Sequence, residues 1–149
     1  MHQPRLRAFG HRVGRLEPGP RNAITDVPGI RVGQVTIIDP ARAVYSGVTA
    51  VVPTALTGSP PTARVLPAGL HVGNGYGKFV GATQIMELGE LETPLLLTST
   101  LSAFRAADSL LSWLIDRAEE PVVSVNPAVG EVNDRWLSTG DPRPLTPGH

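Results

Sequence analysis

The segment "TPLLLTST…LSAFRAADSLLSWLIDRAEE…PVVSV", residues 93 to 125, constrains the fold of this chain more than any other. Its first part, Thr93 to Thr100, is a continuous apolar run too short for a helix, which predicts a strand buried on both faces. The second part has helical periodicity. Phe104, Ala107, Leu111, Leu114, Ile115 and Ala118 share one face, while Arg105, Asp108, Ser112 and Asp116 lie elsewhere. Ser102 is placed to cap the helix and Pro121 to stop it. Pro121 to Val125 then reads as a second strand. Strand, helix and strand in succession make the class mixed, α/β or α+β.

The rest of the chain fits short elements separated by turns. Sixteen glycines and fifteen prolines are spread over 149 residues, which disfavours a helix bundle. Asp26-Val27-Pro28-Gly29-Ile30 predicts a tight turn, with proline fixing its own φ and Gly29 taking a positive one. Ile30, Val32, Val35, Ile37 and Ile38 suggest a strand interrupted at Gly33, and Gly47 to Pro53 a second strand. Thr54 to Pro67 reads as a loop. "ATQIMELGEL" has helical spacing at Ile85, Leu88 and, less cleanly, Leu91, and Gly89 makes it a short helix at best. At the C-terminal end, Thr146-Pro147 reads either as the start of a helix or as a polar tail.

Composition narrows the function classes. Hydrophobic residues make up 41% of the chain and charged residues 17%, the range of a packed domain. Thirteen basic residues balance thirteen acidic ones, so no bulk charge draws the protein to nucleic acid or to an anionic membrane. Cysteine is absent, which removes disulfides and thiolate metal sites. No apolar run approaches the length of a membrane span. Residues 1–21 carry five arginines and a single acid, and are expected to form a flexible, solvated tail; a cytoplasmic location is the default.

The motif with the most obvious chemistry is "HVGNGYGKFVG", His71 to Gly81, which holds the chain's only lysine, Lys78. Glycine-rich turns of this kind cradle phosphates when the spacing is right. Here it is not: the residues between Gly73 and Gly77-Lys78 are one too few for a P-loop, and Phe79 takes the place of the magnesium-binding hydroxyl. The glycine period does not fit a dinucleotide fingerprint either. These glycines are therefore expected to serve backbone geometry. The histidines His2, His11, His71 and His149 are scattered without acidic partners, so no metal site is expected.

The better chemical candidate is "NPAVGEVNDRWL", Asn126 to Leu137, expected as a loop after a buried strand. A carboxylate there would pair with an ammonium, and an amide would donate to an oxyanion. The alternative is a solvated acidic turn anchored to the core by Trp136.

Taken together, "NAITDVPGIRVGQVTI", "GVTAVVP", "PAGLHVGNGYGKFVGATQIMELGELETPLLLTSTLS" and "NPAVGEVNDRWL" resemble, in this order, the DmpA-type aminopeptidases of peptidase family S58. The resemblance runs from residue 22 to 149. It implies part of a four-layer αββα sandwich akin to the N-terminal nucleophile hydrolases. It also implies a precursor that cleaves itself into α and β parts, the new N-terminal serine of the β part acting as nucleophile. Members assemble as homo-oligomers, need no metal or cofactor, and remove N-terminal residues from small peptides, amides and esters. On this resemblance residues 22–149 are the N-terminal portion of the peptidase domain, the nucleophile lies beyond His149, and the remaining α and β parts of the enzyme are partners. Glu131 falls where the family places an acid facing the substrate's free amine. Asn133 occupies a position held in some members by an oxyanion-shaping tyrosine, and Ser124 is expected to line the pocket. The competing expectation is a truncated, non-catalytic homologue that serves as a binding or assembly module.

Overall fold

A computed structural model describes every residue except 1–3, 5, 59, 60 and 62. His2, Arg5 and part of the expected 54–67 loop thus lie outside the described residues. Two long strands form the first unit. β1 (Ile30–Asp39) and β2 (Val44–Pro53) are antiparallel, in a register running from Ile30↔Pro53 to Asp39↔Val44. The turn before β1 forms as its sequence predicts: Gly29 has φ +79°, and the Ile30 amide donates to Val27 at 3.2 Å. The turn between the strands is closed by Asp39, whose carboxylate accepts from the Arg42 amide at 3.2 Å. Gly33 does not interrupt β1. It pairs with Ala50 in an edge strand, where a missing side chain costs little packing.

The expected 54–67 loop contains a turn of helix, α1 (Thr54–Thr57), and β3 (Leu66–Pro67). β4 (Phe79–Val80) leads through Gly81 into α2 (Ala82–Leu88). The helix is short, as expected: Gly89, at φ +67°, caps it with its amide on the Ile85 carbonyl, and Leu91 falls beyond it in a strand. Ile85 is buried, but Leu88 is exposed. β5 (Glu90–Leu91) pairs with β3 in a separate two-stranded ladder.

The strand–helix–strand unit is present with its second strand displaced. β6 (Leu95–Ser99), α3 (Ala103–Ile115) and β7 (Ala128–Val132) place β6 and β7 side by side and parallel, Leu95 opposite Ala128 and Ser99 opposite Val132. The sheet order is β1-β2-β6-β7-β4. The expected strand at 121–125 is instead an irregular connection, with Val123 97% exposed. Proline at 127 has no amide to give to a ladder, so pairing begins one residue later. Two side chains then fix the register: the Ala128 amide donates to Thr93 Oγ1 at 3.0 Å, and the Asn126 amide to Glu92 Oε1 at 2.6 Å.

The helix keeps Ala107 and Leu114 of its expected face inward but turns the rest of that face away from the core. Ala103, Ala106, Ala107 and Leu110 pack with Val129 and Leu145, flanked by Ile37, Val48, Val80, Leu96 and Leu114. Phe104 and Ile115 stay exposed, and the helix ends at Ile115, so Ala118 lies beyond it. α3 has two apolar stripes, and periodicity alone does not choose between them. The alanine stripe faces the sheet because its small side chains let the helix backbone approach closely. Ser102 holds the expected N-cap position, but its side chain makes no capping hydrogen bond. It sits in a 3₁₀ turn (Thr100–Ser102), fully buried, with its hydroxyl 2.9 Å from that of Ser99.

Residues 4 and 6–21 are exposed and include one 3₁₀ turn, Leu6–Phe9. At the other end Thr146 and His149 close a turn, the His149 amide donating to the Thr146 carbonyl at 3.0 Å. Among the described residues no helix is long and apolar enough to cross a membrane.

Candidate functional site

Glu131 lies on a strand, not in the loop its sequence suggested. It stands opposite Thr98 near the carboxyl ends of the parallel β6–β7 pair, the end of a parallel sheet where ligands are commonly received. Side chains alternate along a strand, so Glu131 shares with Val129 the face on which α3 packs. Its side chain is only 11% exposed.

The glycine segment crosses this carboxylate. Residues 79 and 80 pair with Gly130 and Val129, and the Glu131 amide donates to the Lys78 carbonyl at 3.2 Å. A side chain at Gly77 would place its Cβ 3.7 Å from Glu131 Oε1. Lys78 Nζ reaches to 3.5 Å from Oε2 and lies 5.1 Å from the centre of the Tyr76 ring. At that separation charge is compensated without a good hydrogen bond, and Oε2 is buried with no hydrogen-bond partner. Thr100 Oγ1 is likewise buried and unpartnered. Unsatisfied buried oxygens are uncommon and costly, and they mark places where a donor can still be received.

Of the segment's four glycines only Gly81 meets the geometric expectation; Gly73, Gly75 and Gly77 have neither a positive φ nor a close backbone approach. Gly81 has φ +83°, and a side chain there would bring Cβ to 2.7 Å from the Pro127 carbonyl. Lys78, which had meaning in the sequence only as a failed phosphate motif, is the cation brought to Glu131.

The other two candidates do not join this cluster. Asn133 is exposed, its side-chain carbonyl accepting from the Arg135 amide at 3.1 Å in a local turn. Ser124 is exposed on the connection that precedes β7. Trp136 anchors nothing: it is 95% exposed. A contact invisible in the sequence holds the turn instead. Asp134 Oδ2 accepts a 2.6 Å hydrogen bond from Ser46 on β2, beside a cavity of about 320 Å³ lined by Thr98, Ser99 and Val132 among others. Among the described residues no three His, Asp or Glu side chains gather as metal ligands would.

Comparison with known proteins decides the family. The model of peptidase family S58 matches residues 22–149. The chain belongs to peptidase family S58. It is 32% identical over 145 residues to the β-peptidyl aminopeptidase BapA of Sphingosinicella microcystinivorans, a match covering 91% of this chain and 34% of that protein. A protein of Pyrococcus horikoshii OT3 superposes with a TM-score of 0.81 at 38% identity, over 96% of this chain and 42% of that one. The L-aminopeptidase D-Ala-esterase/amidase of Ochrobactrum anthropi, described as a prototype of the serine aminopeptidases and a variant of the Ntn hydrolase fold, superposes at 0.80 with 30% identity. That match covers 98% of this chain and 42% of the other. The S58 chain is therefore a mixed α+β structure of the DmpA type, and it spans about a third of the length of the curated relatives it matches.

Proposed function

We propose that this S58 chain is the amine-recognising part of a self-processing serine aminopeptidase that removes N-terminal residues from small peptides, amides or esters. The observation that carries this reading is Glu131, a nearly buried carboxylate at the end of a parallel strand pair, with one oxygen short of a hydrogen bond. A carboxylate fixed in this way rewards a terminal ammonium and gives nothing to an acylated amine, which is the discrimination an exopeptidase needs. On this reading the nucleophilic serine comes from beyond residue 149. Self-cleavage frees its α-amine, which takes the hydroxyl proton as the serine attacks the carbonyl and returns it to the leaving amine. The acyl-enzyme is then hydrolysed by water. Asn133 and Ser124 belong to the wider substrate-binding region in the same proposal, and the working form is a homo-oligomer.

The test compares residues 1–149 with a longer polypeptide carrying the downstream serine, using an aminoacyl p-nitroanilide. Only the longer one is expected to turn over; hydrolysis by residues 1–149 would refute the placement of the nucleophile. In the longer protein, Glu131→Gln is expected to raise KM for free-amine substrates about tenfold or more, the loss of one charged hydrogen bond, while self-cleavage continues. Equal loss of both would make Glu131 structural.

A further inference from the structure

We infer that Lys78 occupies the amine subsite in the substrate-free protein and competes there with the substrate's ammonium, so that it sets the affinity for free-amine substrates. The inference rests on the reading of Glu131 above and deepens it.

Lys78 meets the requirements of a displaceable occupant. It compensates the charge of Glu131 from 3.5 Å but leaves Oε2 without a hydrogen bond. A free ammonium carries three donors on a compact centre, and at ordinary hydrogen-bond distance it serves that oxygen better than the lysine does. Both cations cannot stay. Two positive charges on one carboxylate oxygen would stand within a few ångströms of each other, in surroundings that screen poorly.

The lysine also has somewhere to go. Its side chain is 35% exposed against 11% for Glu131, so it enters from solvent and withdraws without opening the core. Tyr76, 82% exposed, already holds its ring 5.1 Å from Nζ while the ion pair is made, so the ammonium group can lean outward without losing that contact. Withdrawal thus gives up a partial ion pair, keeps the cation–π contact and gains water. No covalent change is involved.

The direction of the effect separates competition from support. A lysine that merely positions Glu131 would weaken substrate binding when removed; a competitor would strengthen it. In the full-length protein, Lys78→Met is expected to lower KM for an aminoacyl p-nitroanilide about fivefold, the scale of a partly exposed ion pair, with a smaller change in kcat. Lys78→Arg, whose planar fork can hold both carboxylate oxygens, is expected to raise KM by a similar factor. Ethylammonium chloride, measured against sodium chloride at equal ionic strength, should raise the melting temperature of Lys78→Met more than that of the native protein.

A raised KM in Lys78→Met overturns the inference, as does an unchanged KM in both variants. If Lys78→Met fails to fold, Lys78→Arg decides by itself: a raised KM supports competition and an unchanged one overturns it. Glu131→Gln tells the two levels apart. If it leaves KM unchanged, the amine-binding reading falls and takes this inference with it. If it raises KM while the Lys78 variants are neutral, only the inference on Lys78 falls.

Discussion

Thr93 Oγ1 accepts a 3.0 Å hydrogen bond from the amide of Ala128 and donates one of the same length to the carbonyl of Pro94. One fully buried hydroxyl therefore fixes where β7 begins beside β6, and with it the position of Glu131. Thr93→Val keeps the shape and removes the acceptor, leaving the Ala128 amide buried without a partner. The expected cost is about 1–3 kcal/mol in denaturant unfolding. Thr93→Ser should recover most of it, and a variant that unfolds like the native protein would show that the ladder alone sets the register.

Gly81 is the second fixed point. Its φ of +83° and the 2.7 Å approach of a hypothetical Cβ to the Pro127 carbonyl leave no room for a side chain. Gly81→Ala is expected to lose about 2 kcal/mol or more, through backbone strain and a clash that backbone atoms cannot relieve. Gly75→Ala is the control, because nothing lies within 4 Å of its Cβ position and its φ is ordinary. Thermal unfolding of the pair should separate them clearly.

The two apolar stripes of α3 are expected to respond in opposite ways. Leu110 is 5% exposed within the core cluster, and Leu110→Ala should cost about 2–3 kcal/mol as a cavity forms beneath the helix. Phe104 is 62% exposed, and Phe104→Ser in residues 1–149 should change stability by no more than about 0.5 kcal/mol. A large loss at Phe104 in this chain would mean the helix packs on its other face.

Ser46 and Asp134 join β2 to the turn after β7 through a 2.6 Å hydrogen bond. A double-mutant cycle of Ser46→Ala and Asp134→Asn should give a coupling of about 1–2 kcal/mol, as befits a half-buried, charge-assisted bond. Additive losses would show that the turn is held by its backbone contacts instead.

The elements whose outcome is decided by neighbouring residues could be read from the sequence. Pro28-Gly29 had one available turn, Gly89 had to keep its helix short, and the apolar run at Leu95 had to be a strand, although its three leucines end partly buried rather than covered on both faces. Where partners distant in the chain decide, the sequence was ambiguous. Val122 and Val123 have the composition of a strand, but Pro127 and the Thr93 anchor move pairing to Ala128. Phe104 and Ala106 mark two equally apolar sides of one helix, and only the approach of the sheet chooses the alanines. Glu131 was legible as chemistry, but its strand, its burial and its lysine were not. The contact between residues 78 and 131 depends on β4 pairing with β7, a long-range choice that no local pattern encodes.

That pairing has a mechanical consequence. The segment over Glu131 is tied to the sheet by two ladder pairs, Phe79 with Gly130 and Val80 with Val129, and by the Glu131 amide on the Lys78 carbonyl, at the outer margin of the sheet. So short a seam can part while the long β1–β2 ladder and the helix above remain intact. The carboxylate therefore lies behind a short fastening, and access to it is expected to cost less than unfolding the protein.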